Sequence, residues 1–289
     1  MFVQESIAIH RVPPPGSNDA YSPPRLSVGN YSDAMAQSDG HGLSVQDAVE
    51  YSDDSRRITK RSKISMQYEV ELVNWIRCNT TIPVPAVTSH FYDESRQQFV
   101  AVFETRPGRP LADCWGDMST SQKTSIISEL AFFLGQLRTI TTSQIPNTFT
   151  RDRFLDPRDG LVRGPFHTTQ EFLGAIGSRI DRIGSLYDPG QTKKALRFLD
   201  ALQASPARES LVFTHGNFCP ENILVDDSGR VVAILDWSEC GYAPLYWEYI
   251  KSHIDDDDSD FYLENVLDHI MEPWPIPLSI MMHVHRIIW

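Results

Sequence analysis

An α+β chain folded as two lobes around a cleft is what the 289-residue sequence predicts. Three observations carry this. Strand-like segments cluster before about residue 108, amphipathic helical patterns dominate after about residue 120, and the turn-rich connector TRPGRPL, Thr105 to Leu111, lies between them. Hydrophobic residues make up 41% of the chain, enough for a real core at this length. The expected organisation is an irregular arm over 1–45, a small lobe over 46–108 and a larger helical lobe over 109–289. A hinge is expected near Phe103 to Arg109.

The arm contains VPPPGSNDAYSPP, which supports neither a helix interior nor a central strand. It is expected to pack little and to carry no glycine-rich loop over the cleft. RRITKRSK follows, with Lys60 on a short strand. SMQYEVELVNWIRCNT reads as a helix with Leu72, Val73 and Ile76 on one face and Glu69 on the same stripe, four residues before Val73. A carboxylate that faces inward needs a partner. IPVPAV forces an extended passage, and QQFVAVFE is a strand ending at Glu104. In SQKTSIISELAFFLGQLRTI the stripe Ile127, Leu130, Leu134, Leu137 predicts a half-buried helix. Thr168 and Glu171 fit a capping box at the next helix start, TKKALRFLDALQAS predicts another helix stopped near Pro206, and DFYLENVLDHIMEP is again helical. DDDDSD, Asp255 to Asp260, suits a solvated helix start. The histidines of HVH, His283 and His285, fall in a helical tail, where they need no metal. Trp237, Trp247 and Tyr249 read as core packing.

Net charge is −12, which argues against broad contact with nucleic acid. No apolar run is long enough to span a membrane, and the first residues lack the apolar stretch of a signal peptide, so the expected compartment is cytoplasmic. Cys78, Cys114, Cys219 and Cys240 are too scattered for a zinc site or a disulfide framework and are expected as reduced, structural thiols. Nothing in the sequence bears on oligomeric state.

Most of the chemistry concentrates in LVFTHGNFCPENILVDDSGRVVAILDW, Leu211 to Trp237. LVFT is a strand; NILV and VVAIL are two more, joined by the turn-forming DDSGR into a hairpin. With its centre near Gly229, Asn222 and Asp236 face each other at the open end, where cross-strand Cβ atoms lie about 5 Å apart. One amide oxygen and one carboxylate make a hard oxygen pair of the kind Mg²⁺ takes together with phosphates and water. The same two residues also fit a turn cap and a strand-end carboxylate. His215 and Asn217 precede the hairpin and reach the same rim.

The pattern H-G-x-x-x-x-x-N-I-L-V, a hairpin, then I-L-D-W resembles the aminoglycoside phosphotransferase family, a branch of the protein-kinase-like fold. IPVP, RPGRPL, GPF and GYAPLYWEYIK look like fungal members, and the resemblance covers about residues 55 to 289. It implies a small N-terminal sheet lobe and a larger helical lobe, a small-molecule substrate, and ATP with Mg²⁺. By resemblance, Asn222 and Asp236 would hold Mg²⁺. Lys60 would pair with Glu69 and touch the nucleotide phosphates, and Phe103, Glu104 and Thr105 would meet adenine through backbone groups. His215 would brace the loop rather than act as a base.

Two features depart from the family pattern. Asn217 stands where the family motif H-G-D has an aspartate, and an amide can orient a hydroxyl but not take its proton. No convincing glycine-rich loop precedes Lys60. Three readings follow: a phosphotransferase impaired or retuned at Asn217, a kinase-fold enzyme turned to cyclisation, dehydration or isomerisation of a natural product, and a catalytically silent binding protein of pseudokinase type.

Overall fold

The computed structural model describes residues 48–51, 56–63, 65–145, 150–151, 162–184, 188–203, 211–254 and 260–288. In chain order the elements begin with strands β1 (Ala48–Tyr51) and β2 (Arg57–Ser62), helix α1 (Gln67–Asn79), and strands β3 (Ala86–Asp93), β4 (Gln98–Glu104) and β5 (Arg109–Pro110). Helix α2 (Thr120–Leu137), strands β6 (Thr150–Arg151) and β7 (Val162–Arg163), and helices α3 (Thr169–Ile183) and α4 (Pro189–Gln203) follow. Then come β8 (Leu211–Thr214), β9 (Ile223–Val225), β10 (Val231–Ile234) and β11 (Gly241–Pro244). Helices α5 (Trp247–Ile254), α6 (Asp260–Leu263), α7 (Val266–Ile270) and α8 (Pro275–Ile288) complete the chain.

The first four strands form one antiparallel sheet in the order β1-β2-β4-β3. Alternation sets its faces: along β2, Ile58, Lys60 and Ser62 point inward while Arg57 and Arg61 are more exposed. Helix α1 buries Leu72, Val73 and Ile76 in a core shared with Leu130, Leu134 and Leu137 of α2 and with Ile223, Val225 and Ile234 of the β9–β10 hairpin. A smaller cluster joins Ile58, Ala101 and Phe103 of the sheet to Leu224, Ala233 and Leu235 of the hairpin. The sheet and the helical region are therefore welded by apolar contact on both sides of α1. Each fully buried side chain of this kind contributes about 1.5–3 kcal/mol. A third cluster packs α3, α4, α5 and α8 around Phe172, Leu199, Trp247 and Met281.

Several sequence expectations shift in detail. The deep position on α2 belongs to Ile126, not Ile127, because 126, 130, 134 and 137 hold the i, i+4, i+8, i+11 stripe while Ile127 packs at its edge. Thr168 caps α3 by accepting from the Glu171 N–H, but the Glu171 carboxylate accepts from His167 N, one residue earlier than a capping box requires. A complete box forms instead at α2, between Ser119 and Gln122. The segment after residue 260 is two short helices rather than one, because Asn265 takes a left-handed conformation with φ 51°. Trp237, Trp247 and Tyr249 are buried in the cores. All four cysteines are free thiols. The arm over 1–45, Pro206 and Asp255 to residue 259 lie outside the described residues.

Candidate functional site

The site is built on the loop after β8. This strand pairs with β11, and Thr214 donates its hydroxyl to the Gly241 carbonyl, 3.0 Å away. His215 follows and is fully buried. Its Nδ1 accepts from the Asn217 N–H at 3.2 Å, which leaves Nε2–H to donate to the Leu235 carbonyl at 2.9 Å. The ring meets Trp237 edge-on, with centroids 4.5 Å apart, and burial pulls its pKa below the ordinary histidine value. A neutral imidazole with both nitrogens committed joins the loop to the end of β10. Gly216 has φ +80°, and a Cβ there would stand 2.4 Å from the Glu239 carbonyl oxygen. Only glycine allows this close approach.

Beneath the loop, Glu248 on α5 is fully buried. Its Oε2 accepts from the His215 N–H at 2.6 Å and its Oε1 from the Gly216 N–H at 2.9 Å. Arg138, at the end of α2, donates to the Leu245 carbonyl and lies in the field of Glu248. The loop thus rests on a carboxylate, with its backbone donors satisfied inside the protein.

The cleft-facing side chains form one connected cluster. Lys60 Nζ lies 3.0 Å from Glu69 Oε2 and 2.8 Å from Asp236 Oδ1, linking β2, α1 and the end of the hairpin. Lys60 and Glu69 side chains are 6% and 5% exposed, that of Asp236 26%. Asn217 Nδ2 donates to Asp236 Oδ2 at 2.7 Å, and Ser238 Oγ donates to Asp236 Oδ1 at 2.9 Å. Asn222 Nδ2 donates to the Asn217 carbonyl at 3.0 Å and to Cys219 Sγ at 3.3 Å. Burial pushes the Cys219 thiol well above its usual range, so it stays a neutral acceptor. Asp236 itself is left-handed, with φ 54°, an uncommon conformation for a non-glycine residue.

The structure therefore brings together Lys60, Glu69, Asn217, Asn222 and Asp236. The hairpin register differs from the one expected. Ile223 faces Ile234, and the Leu235 N–H donates to the Asn222 carbonyl, so Asn222 stands opposite Leu235 rather than Asp236. A bulge between Val231 and Ala233 places the extra residue. Asp236 lies one residue beyond the ladder and turns back toward Asn217. Phe103 is buried against the hairpin, Glu104 is exposed, and the Thr105 N–H is committed to the Arg56 carbonyl at 2.8 Å. That N–H is engaged within the protein, which leaves the Thr105 carbonyl as the backbone group of this residue that a base could meet. Strands β1 and β2 are antiparallel neighbours, and residues 52–55 between them are Ser-Asp-Asp-Ser, without glycine.

Sequence reasoning missed Glu248, Glu239, Ser238 and Lys251. Glu239 is buried and accepts from Lys251 Nζ at 2.7 Å. The one available signal was an acidic residue, Glu248, within the apolar stretch PLYWEYI.

The donor set suits a hard divalent cation. The nitrogen of the Asn222 amide is held by the loop, so Oδ1 is its remaining polar atom, and Asp236 supplies a partly open carboxylate. Among the described residues no group of three or more His, Cys, Asp or Glu could hold a metal. A cation here would depend on phosphate oxygens and water for its other ligands.

A small antiparallel sheet over a larger helical region, with a lysine, a glutamate and an aspartate joined across the cleft, defines a kinase-like fold. The chain belongs to the phosphotransferase enzyme family (APH), whose family model matches residues 47–270. It is 26% identical over 230 residues to clavilactone A biosynthesis cluster protein Y of Ampulloclitocybe clavipes, covering 69% of this chain and 55% of that protein. It is 25% identical over 188 residues to an aminoglycoside 3'-phosphotransferase of Streptomyces fradiae, covering 65% and 63%. The chain thus spans under two thirds of the length of these curated relatives. Among solved structures it resembles an aminoglycoside phosphotransferase of Streptomyces rimosus in complex with ADP and streptomycin. The TM-score is 0.55 and the identity 16%, with 89% of this chain and 97% of that one covered. It also resembles a thermostable mutant of APH(4)-Ia in ternary complex with ADP and hygromycin B, with TM-score 0.59, 19% identity and coverage of 86% and 84%. Among the described residues no helix is long and apolar enough to cross a membrane.

Proposed function

We propose that the cleft binds ATP with Mg²⁺ beside a hydroxyl-bearing small molecule, and that phosphoryl transfer is slow because the loop offers no base. The observation that carries this is the contact of Asn217 Nδ2 with Asp236 Oδ2 at 2.7 Å. With its nitrogen turned to the carboxylate, Asn217 presents only its amide oxygen to an acceptor. That oxygen can accept a hydrogen bond from a hydroxyl and fix its direction, but it has no useful basicity. Lys60, held by Glu69, is placed to meet phosphate oxygens when it releases Asp236. Asn222 and Asp236 are the residues that would hold the metal, which when bound neutralises developing phosphate charge. His215 keeps the loop in shape and moves no proton. The family match and the ADP-bound structural neighbours support this reading.

General-base catalysis contributes about 10²–10⁴-fold, whereas positioning and charge neutralisation dominate phosphoryl transfer. Asn217→Asp is therefore expected to raise ATP-dependent phosphorylation of a small-molecule hydroxyl by about 10²-fold. The measurement is label transfer from ATP into a metabolite pool, followed by mass spectrometry with and without ATP and Mg²⁺.

A second reading has its own support. A relative is a biosynthesis cluster protein, and the Asn217 amide already satisfies Asp236 without a second carboxylate. A cleft turned to non-phosphorylating chemistry on a natural product would lose activity in Asn217→Asp, since the new charge would crowd Asp236. The two readings predict opposite signs for one substitution. Wild-type phosphorylation that is fast and unaltered in Asn217→Ala would remove the role given to this residue in both.

A further inference from the structure

We infer that Lys251 is a positioning residue, the second of two grips by which helix α5 sets the distance between Asn217 and Asp236. Glu248 and Lys251 are three residues apart on α5 and so share a face. Glu248 takes the loop: its carboxylate accepts from the N–H groups of His215 and Gly216, at 2.6 and 2.9 Å. Lys251 takes the turn: its Nζ donates to Glu239 Oε2 at 2.7 Å, with side chains 11% and 6% exposed. Glu239 closes the 3-10 turn Trp237–Glu239 that follows Asp236 directly.

The two held segments also press on each other. The Glu239 carbonyl occupies the space where a Cβ on Gly216 would stand, 2.4 Å from it. Loop and turn are thus in backbone contact, and each is tied to the same helix. Asn217 follows Gly216 by one residue, and Asp236 precedes Trp237 by one. The 2.7 Å contact between their side chains is the distance that this double attachment fixes. Asp236 also needs holding. Its left-handed backbone is unfavourable for aspartate, and Ser238, inside the same turn, donates to its Oδ1. Without Lys251 the turn keeps its apolar anchor, Trp237, but loses the ion pair that ties it to α5.

A plain structural pair would tie α5 to the turn without consequence for the cleft, so the experiment must separate the two. Removing Lys251 alone takes the charge partner of a buried carboxylate, whereas removing both charges often leaves folding intact. The main variant is therefore Glu239→Gln with Lys251→Met, compared with Lys251→Arg. ADP binding is measured by calorimetry with Mg²⁺ and in EDTA, and backbone hydrogen exchange is measured over residues 235–241 and over α2.

In the double variant the Mg²⁺-dependent part of ADP affinity is expected to fall 10-fold or more, with affinity in EDTA within 2-fold of wild type. Exchange over 235–241 is expected to rise 10-fold or more while α2 is unchanged, and Lys251→Arg should recover both. Wild-type exchange together with a wild-type Mg²⁺ effect in the double variant would overturn the inference. If the double variant does not fold, Glu239→Gln alone should show the same losses at 3-fold or more, and wild-type values there would overturn it as well. The calorimetric arm rests on the nucleotide reading above. Absence of ADP binding by the wild type would sink that reading, and the exchange result would then decide the role of Lys251 by itself.

Discussion

Lys60 and Glu248 are both buried charges serving the same cleft, but they are held in opposite ways. Lys60 is shared between two side chains, Glu69 and Asp236, and the Asp236 side is 26% exposed. Glu248 is fully buried and accepts from two consecutive backbone N–H groups. A side-chain ion pair open to solvent on one side can be exchanged for an incoming anion. A carboxylate beneath a loop, bonded to its backbone, cannot leave without unmaking the loop. The difference teaches that this cleft has a changeable upper layer and a fixed lower one, with Asn217 at the boundary.

The comparison breaks most visibly at Glu248. Glu248→Ala strands two buried donors, each costing roughly 1–3 kcal/mol, and adds a small cavity. The expected loss is about 4 kcal/mol in urea denaturation, and a loss under about 1 kcal/mol would remove the distinction between the layers. Lys60→Met is expected to cost somewhat less, about 3 kcal/mol: it takes the lysine from the buried Glu69, but Asp236 can recover solvent. The same variant should abolish any thermal shift on adding ATP and Mg²⁺. A retained shift would mean that Lys60 does not meet the nucleotide.

Acid should act on the lower layer next. Burial holds His215 below its ordinary pKa, and burial with the nearby Lys251 charge lowers His285 to about 4. A histidine with a depressed folded pKa takes up its proton more readily when unfolded. Its stabilising contribution is therefore full above about pH 6.5 and declines as pH falls below that value. For the fully buried His215 the slope is at most about 1.4 kcal/mol per pH unit. Urea midpoints should fall between pH 7.5 and 5.5, and His285→Gln should flatten part of that fall. A midpoint that is constant over this window would show that neither imidazole is held neutral by folding. The smallest effect is expected away from both layers. Ser119→Ala removes the α2 cap, at about 1 kcal/mol, and should leave ATP-dependent thermal shifts untouched.

The upper layer was legible in the sequence and most of the lower one was not. Glu69, Asn217, Asn222 and Asp236 are polar residues within apolar or turn-forming segments, whereas Lys60, in the basic stretch RRITKRSK, was singled out only through the family resemblance. Glu239 and Lys251 lie twelve residues apart in a stretch with no period to relate them, and only the chain's return through β11 and α5 brings them together. The register of β9 and β10 was missed by one residue. A bulge at Val232 leaves no mark in an apolar run, where either neighbour could be the extra residue.

By itself the sequence determined the order of strand-rich and helical segments, the hairpin, the inward carboxylate of α1 and the amide at 217, because hydrophobic period, turn chemistry and residue type are local properties. Tertiary structure alone decided that Asn217 donates to Asp236, that Gly216 meets the Glu239 carbonyl, and that one short helix grips both. These contacts join segments 12 to 33 residues apart, and distances near 2.7 Å between them follow only from how the cores around α1, α2 and α5 pack at close density.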